Sequence, residues 1–427
     1  MQMYRGLPII TNKIATEEQR GIPHHLLGTI GLEEPAWDVH AFRTEANKII
    51  HEIRSRGKLP IVVGGTHFYT DGLLFENHLV EDVVDGTLPR DAEDHDVAFP
   101  ILNGSTDDMF VKLKEVDPVM ADRWHPNDRR KIRRSLEIYL TTGKRASDIY
   151  AEQKQRKADP PPTSGISWRS LLLWVYSEPT VLEERLYARI SKMVDNGLLD
   201  ETQQMHDYLQ GRLRNGETID RTKGIWQSIG FKEMEPYLTL VNEDAGSEWL
   251  PKLRIAGLET MKIRTRRYAK EQLRWIKHKT IPRLKEAGAL DHLFVLDSTD
   301  VSQWEEAVAE PAVRLARQFL RGEELPSPTE TSETAAEVLS LMIDASKKDQ
   351  SAPCHKTCEI CQSTHLTEQL WEGHLRSNRH RRMVQRKKRR APAVLRGEET
   401  AEDAERRVAA ADSPSASRPT AETFHMR

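Results

Sequence analysis

Hydrophobic positions in the first part of the chain follow two different spacings. Apolar residues recur at helical spacing from Phe42 to Ile53, and a short continuous apolar run follows from Leu59 to Val63. The first pattern predicts an amphipathic helix, and the second predicts a buried strand that ends at Gly64-Gly65-Thr66. A second apolar run, Leu171 to Tyr176, predicts another core strand. Helices that alternate with buried strands are typical of an α/β fold.

The same alternation continues in the second half of the chain. An apolar stripe on Leu182, Leu186, Ile190 and Met193 predicts a helix from Thr180 to Met193. Beyond it we expect a long basic helix over about residues 247–279, a strand from Leu293 to Leu296 and a helix from Val301 to Leu320.

Composition along the chain suggests the domain boundaries. The two apolar strand runs are far apart, so residues 1–80 and 166–322 are predicted to form one core that is interrupted by a helical insertion at residues 81–165. Residues 323–352 are rich in Glu, Ser, Thr and Pro and are predicted to be a linker. A small metal-binding module is expected at residues 353–385, and a disordered tail, basic and then polar, at residues 386–427.

Overall composition limits the class of protein. The net charge is only −3, so nucleic-acid binding would depend on local basic patches. The chain has three cysteines, which favours a reducing, intracellular compartment and leaves mitochondrion, cytoplasm and nucleus open. An apolar run long enough to span a membrane is absent from the sequence, so we expect no membrane partner.

The C-terminal cysteines and histidines carry the most specific chemical pattern. Cys358, Cys361, His374 and His380 have the spacing C-x2-C-x12-H-x5-H, which predicts a tetrahedral structural Zn²⁺ site. Three further residues could compete as ligands, namely Cys354, His355 and His365. The long spacing between the two histidines resembles RNA-binding fingers of the matrin and U1 type.

Two basic stretches support nucleic-acid binding. The first follows Asn127 and Asp128, either of which would be a good N-cap for a helix that carries Arg129 to Arg134. The second covers residues 253–285, where lysine and arginine far outnumber acids and Tyr268 and Trp275 are interleaved. Together with the finger, these stretches predict binding to RNA or DNA.

Familiar catalytic patterns are missing from the sequence. The chain contains no G-x-x-x-x-G-K-[ST] phosphate-binding loop, and no Ser/His/Asp set stands out. Gly64-Gly65-Thr66 could bring backbone amides close to a phosphate, although a plain turn is the better interpretation of these residues. The residues alone therefore indicate an α/β RNA-binding protein with a zinc finger.

Several blocks in order along residues 1–300 resemble one family, the tRNA dimethylallyltransferases, also called tRNA isopentenyltransferases. Its characteristic motifs are similar to Met1–Leu7 with Thr11–Lys13, Gly21–Leu27, Pro60–Tyr69, Glu115–Pro118 with His125–Asp128, Gly224–Phe231 and Arg266–Gln272. Eukaryotic members also carry a C-terminal finger of this kind.

The resemblance implies a fold, a reaction and partners. It implies a P-loop-kinase-like parallel sheet with an inserted helical domain that binds the tRNA anticodon stem-loop. The implied reaction moves a dimethylallyl group from dimethylallyl diphosphate onto N6 of the adenosine just 3′ of the anticodon. Mg²⁺ would accompany the diphosphate, and a monomer is expected.

The resemblance also implies roles for particular residues. Arg189 matches the arginine that stabilises the diphosphate, and Thr66 matches a catalytic position that contacts the substrate tRNA. Further tRNA contacts are implied at Met1 and Gln2, which match a block lying against the target base, and along the insertion at Arg130, Lys131, Ile132, Arg133 and Arg134.

The chain departs from the family pattern at its start. The general-base aspartate of the family precedes the position of Met1 by two residues, and the phosphate-binding loop lies further upstream. We therefore expect either a transferase whose true start lies before Met1, or a tRNA-binding remnant without activity. A third alternative is an unrelated RNA-binding protein with a zinc finger.

Overall fold

The computed structural model describes residues 1–75, 99–158, 168–348 and 353–390. Parts of three predicted segments lie outside the described residues: residues 81–98 and 159–165 of the insertion, residues 349–352 of the linker, and the tail after Arg390.

Helices form most of the described chain. They are α1 Val39–Ser55, α2 His67–Leu74, α3 Thr106–Val116, α4 Pro118–Arg123, α5 Arg129–Thr142, α6 Ala146–Ala158, α7 Pro179–Asp195, α8 Leu198–Arg214, α9 Phe231–Glu243, α10 Leu250–Trp275, α11 Ile281–Glu286, α12 Glu310–Arg321, α13 Glu333–Lys348, α14 Glu368–Arg376 and α15 Asn378–Arg390. The strands are β1 Leu172–Tyr176, β2 Leu293–Asp297, β3 Pro353–Cys358 and β4 Ser363–Thr367. A π-helical segment, Ile276–Thr280, joins α10 to α11.

The chain divides into two compact units. The first contains Met1–Gly86 and Gln153–Asp349, and the second contains Thr87–Glu152 and Gln350–Arg427. The helical insertion and the C-terminal module therefore fall into the same unit.

A small parallel sheet organises one part of the first unit. Strands β1 and β2 pair in parallel, with Leu172 opposite Leu293 and Tyr176 opposite Asp297. Strand β2 is almost entirely buried, as expected for a parallel strand covered on both faces. Its apolar side chains share a hydrophobic cluster with residues of α11 and α13.

Helices build the larger core of the first unit. Apolar residues of the N-terminal segment, including Tyr4 and Ile30, pack with α7, α8, α9 and α10 in one cluster. Gly257 of α10 allows close approach of α9, since a Cβ atom at this position would lie 2.6 Å from Met234 Sδ and 2.9 Å from the Glu233 carbonyl oxygen. The long basic helix is thus fixed against the core along its first half.

Within the second unit, buried polar contacts fix the helices of the insertion. The fully buried Asp117 carboxylate caps α4 by accepting from Met120 N at 3.2 Å and also accepts from Ser147 N at 2.9 Å. Trp124 Nε1 donates to Ser135 Oγ at 2.9 Å. The predicted N-cap of α5 is Asp128, whose side chain accepts from Lys131 N.

Most predicted elements are present within a mixed α/β fold that is mainly helical. The helix from Phe42 to Ile53 is α1, and the strands at residues 171–176 and 293–296 are β1 and β2. The long basic helix is interrupted after Trp275 by the π-helical segment, and the helix predicted to begin at Val301 is regular only from Glu310.

The buried strand predicted at Leu59–Val63 is wrong. These residues have no regular secondary structure, and Val63 is 90% exposed. Among the described residues β1 pairs only with β2, so this segment has no strand beside it. An apolar run without a neighbouring strand lacks the backbone hydrogen bonds that define a sheet.

The linker predicted at residues 323–352 is also wrong over half of its length. Helix α13 occupies Glu333–Lys348, and Ala335, Val338 and Leu339 are buried against the sheet. The prediction from composition was wrong because the apolar residues are few, but they lie together on one face of the helix. A low average hydrophobicity can hide such a face.

Candidate functional site

The turn before α2 lies against the second half of α10. Thr66 precedes the first residue of α2, but its side chain makes no capping hydrogen bond. Its hydroxyl instead lies 3.3 Å from the Tyr268 hydroxyl of α10. A Cβ atom on Gly65 would lie 3.1 Å from Gln272 Oε1, so glycine permits this approach. The Gly64-Gly65-Thr66 turn therefore presents its polar side chain and backbone beside the basic helix.

Helix α7 carries Arg189 and is attached to α10 by a polar contact. Arg266 Nη1 donates to Glu183 Oε1 at 2.7 Å, and the Tyr187 hydroxyl donates to the same oxygen at 2.7 Å. The neighbouring Arg185 is engaged in structure, because its Nη1 donates to the Ser298 carbonyl oxygen at 2.8 Å.

Arg189 differs from its neighbours on α7. Within the described residues its guanidinium makes no hydrogen bond or ion pair, and the side chain is exposed. The surrounding protein nevertheless lowers the pKa of Arg189 by partial desolvation. A cation with no protein counter-charge, accessible from solvent, is suited to hold an anionic ligand.

The N-terminal segment that contains Met1 and Gln2 is held by polar contacts. Gln2 Nε2 donates to the Asn12 carbonyl oxygen at 2.7 Å, and Gly28 N donates to the Gln2 carbonyl oxygen at 3.0 Å. Burial lowers the pKa of Lys13, although the nearby Glu201 carboxylate opposes this shift. The Lys13 ammonium group donates to the carbonyl oxygens of Tyr4 and Gly6.

The basic side chains of α5 in the second unit are not equivalent. Arg130 is exposed and has no hydrogen-bond or ion-pair partner among the described residues. Lys131 pairs with Asp128 at 2.8 Å, Arg134 pairs with Glu137 at 2.9 Å, and Arg133 Nη1 donates to the Leu102 carbonyl oxygen at 3.3 Å.

The structure contradicts one predicted tRNA contact on this helix. The Ile132 side chain is fully buried, with 0% exposed, and it packs on the inner face of α5 together with Leu136. An amphipathic helix directs every third or fourth residue to the core, so only the polar positions around Ile132 can face RNA.

Four predicted metal ligands meet at one point in the C-terminal module. The ligand atoms of Cys358, Cys361, His374 and His380 all lie within 4.8 Å of one another. Both cysteines are buried at the end of the β3–β4 hairpin, and the histidines come from α14 and α15.

The spacing of these atoms fits a tetrahedral metal. His380 Nδ1 lies 3.5 Å from each cysteine Sγ and 3.1 Å from His374 Nε2. Zinc bonds of about 2.3 Å to sulfur and about 2.05 Å to nitrogen would place S and N about 3.6 Å apart and two N atoms about 3.3 Å apart. The group can therefore hold a metal ion of this size.

Two of the three alternative ligands, His365 and Cys354, contact one another, and His365 also contacts the group. The His365 ring stacks on His374 with a centroid distance of 4.4 Å, and its Nε2 lies 3.1 Å from Ser363 Oγ. Cys354 Sγ donates to the His365 carbonyl oxygen at 3.6 Å. His365 is thus placed to orient a ligand ring.

Sequence reasoning missed Asp71, a buried carboxylate of the first unit that accepts from three side chains. It lies on α2 five residues after Thr66 and accepts hydrogen bonds from the end of α10 and from the two helical segments that follow it. The only signal in the sequence is an acid placed inside an apolar helix, in His67–Leu74.

Comparison with known proteins gives matches over most of the chain. The sequence model of the IPP transferase family matches residues 2–279. The tRNA dimethylallyltransferase of Schizosaccharomyces pombe is 36% identical over 409 residues, which are 93% of this chain and 90% of the relative. The human tRNA dimethylallyltransferase is 31% identical over 393 residues, which are 91% of this chain and 80% of the relative.

A solved structure is similar over the same extent. It shows a eukaryotic dimethylallyltransferase acting on tRNA, and it superposes with a TM-score of 0.72 at 34% sequence identity. The match covers 91% of this chain and 89% of that chain. Within the described residues, no helix is both long and apolar enough to cross a membrane.

Proposed function

This chain belongs to the IPP transferase family, and on that basis we propose that it transfers a dimethylallyl group to tRNA. The family predicted from the sequence blocks is confirmed. The observation that carries the proposal is the extent of similarity to the fission-yeast tRNA dimethylallyltransferase, 93% of this chain. This match excludes an unrelated zinc-finger protein, and it does not favour a remnant without activity.

The donor we propose is dimethylallyl diphosphate, and the acceptor is N6 of the adenosine just 3′ of the anticodon. The exocyclic nitrogen attacks the allylic carbon and forms a C–N bond, while the bond from that carbon to the diphosphate oxygen breaks. One N6 proton is released to water, and diphosphate departs with the bonding electrons. The product is N6-isopentenyladenosine.

Arg189 is proposed to stabilise the departing diphosphate. The residue is exposed, its guanidinium has no partner among the described residues, and partial desolvation lowers its pKa. A fixed cation beside a developing negative charge lowers the barrier without reorganisation during the reaction. Mg²⁺ would enter on the diphosphate, whose oxygens are the ligands that this ion prefers.

Thr66 is proposed to contact the tRNA near the target base, together with Met1 and Gln2. Its hydroxyl is not used for capping α2, so it remains available beside Tyr268. A base that reacts at an exocyclic amine must leave the stack, and polar groups on a rigid turn can hold it there.

The insertion and the finger are proposed to bind the anticodon stem-loop. Arg130, at the start of α5, is exposed and has no partner among the described residues, and Lys131, Arg133 and Arg134 are close to it on the helix. We propose that Cys358, Cys361, His374 and His380 hold Zn²⁺, whose role is to join the hairpin to α14 and α15. We further propose an intracellular monomer.

A transfer assay tests the function. The chain is incubated with dimethylallyl diphosphate, Mg²⁺ and an anticodon stem-loop RNA, and the nucleosides are analysed by mass spectrometry. We expect N6-isopentenyladenosine, and we expect Arg189→Gln to slow its formation by about 100-fold or more. Lys192→Gln removes an exposed cation from the same helix and is the matched control. An unmodified RNA would reject the function, and equal losses in both variants would reject the role of Arg189.

A further inference from the structure

Asp71 is a buried carboxylate with an unusual number of side-chain donors. Only 2% of its surface is exposed. Its Oδ2 accepts from Trp275 Nε1 at 2.8 Å and from Arg283 Nη1 at 2.6 Å, and its Oδ1 accepts from Thr280 Oγ1 at 3.2 Å. The donors come from the end of α10, from the π-helical segment and from α11. One side chain of α2 thus holds three consecutive parts of the chain.

Helix α2 is attached to α10 at a second point. At its start, Thr66 Oγ1 lies 3.3 Å from the Tyr268 hydroxyl, and Gly65 lies against Gln272. The residues Tyr268, Gln272 and Trp275 are four and three positions apart, so they share one face of α10. The Phe68 ring also meets the Trp275 ring edge-on at 6.1 Å. The contact therefore runs along the length of α2.

The attachment of α2 depends on a charged pair, Asp71 and Arg283, which is largely buried. Burial lowers the pKa of Arg283, and the nearby Asp71 carboxylate opposes that shift. Each charge therefore needs the other, because a buried ion without its partner is strongly unfavourable. Apolar residues would fill such a space with no desolvation cost, but they would not fix the direction of α2 as three directional hydrogen bonds do.

We propose that Asp71 is a positioning residue that locks α2 to α10 and so fixes the Gly64-Gly65-Thr66 turn beside Tyr268 and Gln272. Its importance for catalysis rests on the proposed function, in which Thr66 contacts the tRNA. The lock itself is independent of that function, since it follows from the hydrogen bonds of Asp71. The turn and the basic helix would then approach the substrate as one rigid element.

Two variants separate positioning from stability. Asp71→Asn removes the charge and leaves Arg283 without its partner. The double variant Asp71→Leu with Arg283→Gln removes both charges and every acceptor at position 71, so it relieves the unpaired ion without restoring the bond that orients Trp275. Asp297→Asn is the control, because this carboxylate accepts from Thr299 and Thr334 and not from the segment around α2.

Amide hydrogen exchange is the first measurement. Tyr69 N and Thr70 N both donate to the Thr66 carbonyl oxygen, at 2.9 Å and 3.3 Å, so their exchange reports the opening of α2. In both Asp71 variants we expect exchange in α2 to rise by about tenfold or more, with α9 as the unchanged reference. The control variant Asp297→Asn should leave the rate of amide exchange in α2 equal to that of the parent.

Transfer kinetics is the second measurement. A misplaced turn should lower kcat by about tenfold to 100-fold and leave the KM for tRNA unchanged, also in the double variant. The proposal is overturned if α2 exchanges at the parental rate, if α9 loosens equally, or if the double variant recovers parental exchange and kcat. If the parent itself shows no transfer, the proposed function fails, while hydrogen exchange still decides whether Asp71 locks α2.

Discussion

Helix α13 offers a sharp test of the fold, because the composition of its residues predicts a linker. Leu339 is only 2% exposed and packs in the cluster that contains β2 and α11, whereas Leu341 on the same helix is 63% exposed. Replacing each leucine by alanine makes the same chemical change in two environments. The pair therefore isolates the contribution of burial.

The expected magnitudes differ clearly. Leu339→Ala removes three buried carbon groups at about 0.8 kcal/mol each, or about 2.4 kcal/mol in total. The cavity left behind raises the loss in the free energy of unfolding to about 2–5 kcal/mol. Leu341→Ala should change it by less than about 0.5 kcal/mol, because its side chain already contacts water.

Urea denaturation followed by circular dichroism measures both values. If the slope of the free energy of unfolding against urea concentration is the same in the variant and the parent, a shift in the midpoint of the transition reports a change in stability. A small and equal effect of Leu339→Ala and Leu341→Ala would refute the packing of α13. The original prediction of a linker would then be restored.

Three further predictions follow from other parts of the structure. Gly257→Ala should destabilise the chain by about 1–3 kcal/mol, because a Cβ atom there would collide with α9. Gly211→Ala is the matched control and should stabilise the chain by about 1 kcal/mol, because its Cβ position has open space around it. Thermal unfolding measures both changes. Cys361→Ser should abolish the binding of about one zinc ion per chain and weaken stem-loop binding, measured by metal analysis and fluorescence anisotropy. Burial opposes the shift at Asp297, but hydrogen bonds from Thr299 and Thr334 lower its pKa below the ordinary 3.8. Its stabilising contribution is therefore present above pH 3.8 and lost as the pH falls through the lowered pKa, and Thr334→Val should raise that pKa in an NMR titration.

The sequence was most informative where periodic patterns or fixed spacings carry the structure. The amphipathic stripe of α7 and the apolar runs of β1 and β2 were placed to within a few residues. The ligand spacing from Cys358 to His380 predicted a group of atoms that the structure brings together. In these cases the residues that form the pattern are close together in the sequence and are also the residues that form the structure.

The errors arose where distant contacts decide the outcome. Leu59–Val63 has the composition of a strand, but a strand also needs a partner, and none lies beside it among the described residues. The family resemblance implies a tRNA contact at Ile132 as part of a continuous segment, although helical periodicity turns its side chain into the core. Asp71 could not be found from sequence, because its donors lie some two hundred positions away.

The location of the transferred group tests the central claim most directly. A stem-loop RNA that has reacted with dimethylallyl diphosphate in the presence of the chain is fragmented and sequenced by tandem mass spectrometry. We predict that the added mass lies only on the adenosine just 3′ of the anticodon, and that guanosine at this position prevents transfer. Transfer to another nucleotide, or an RNA that keeps its original mass, would contradict the account.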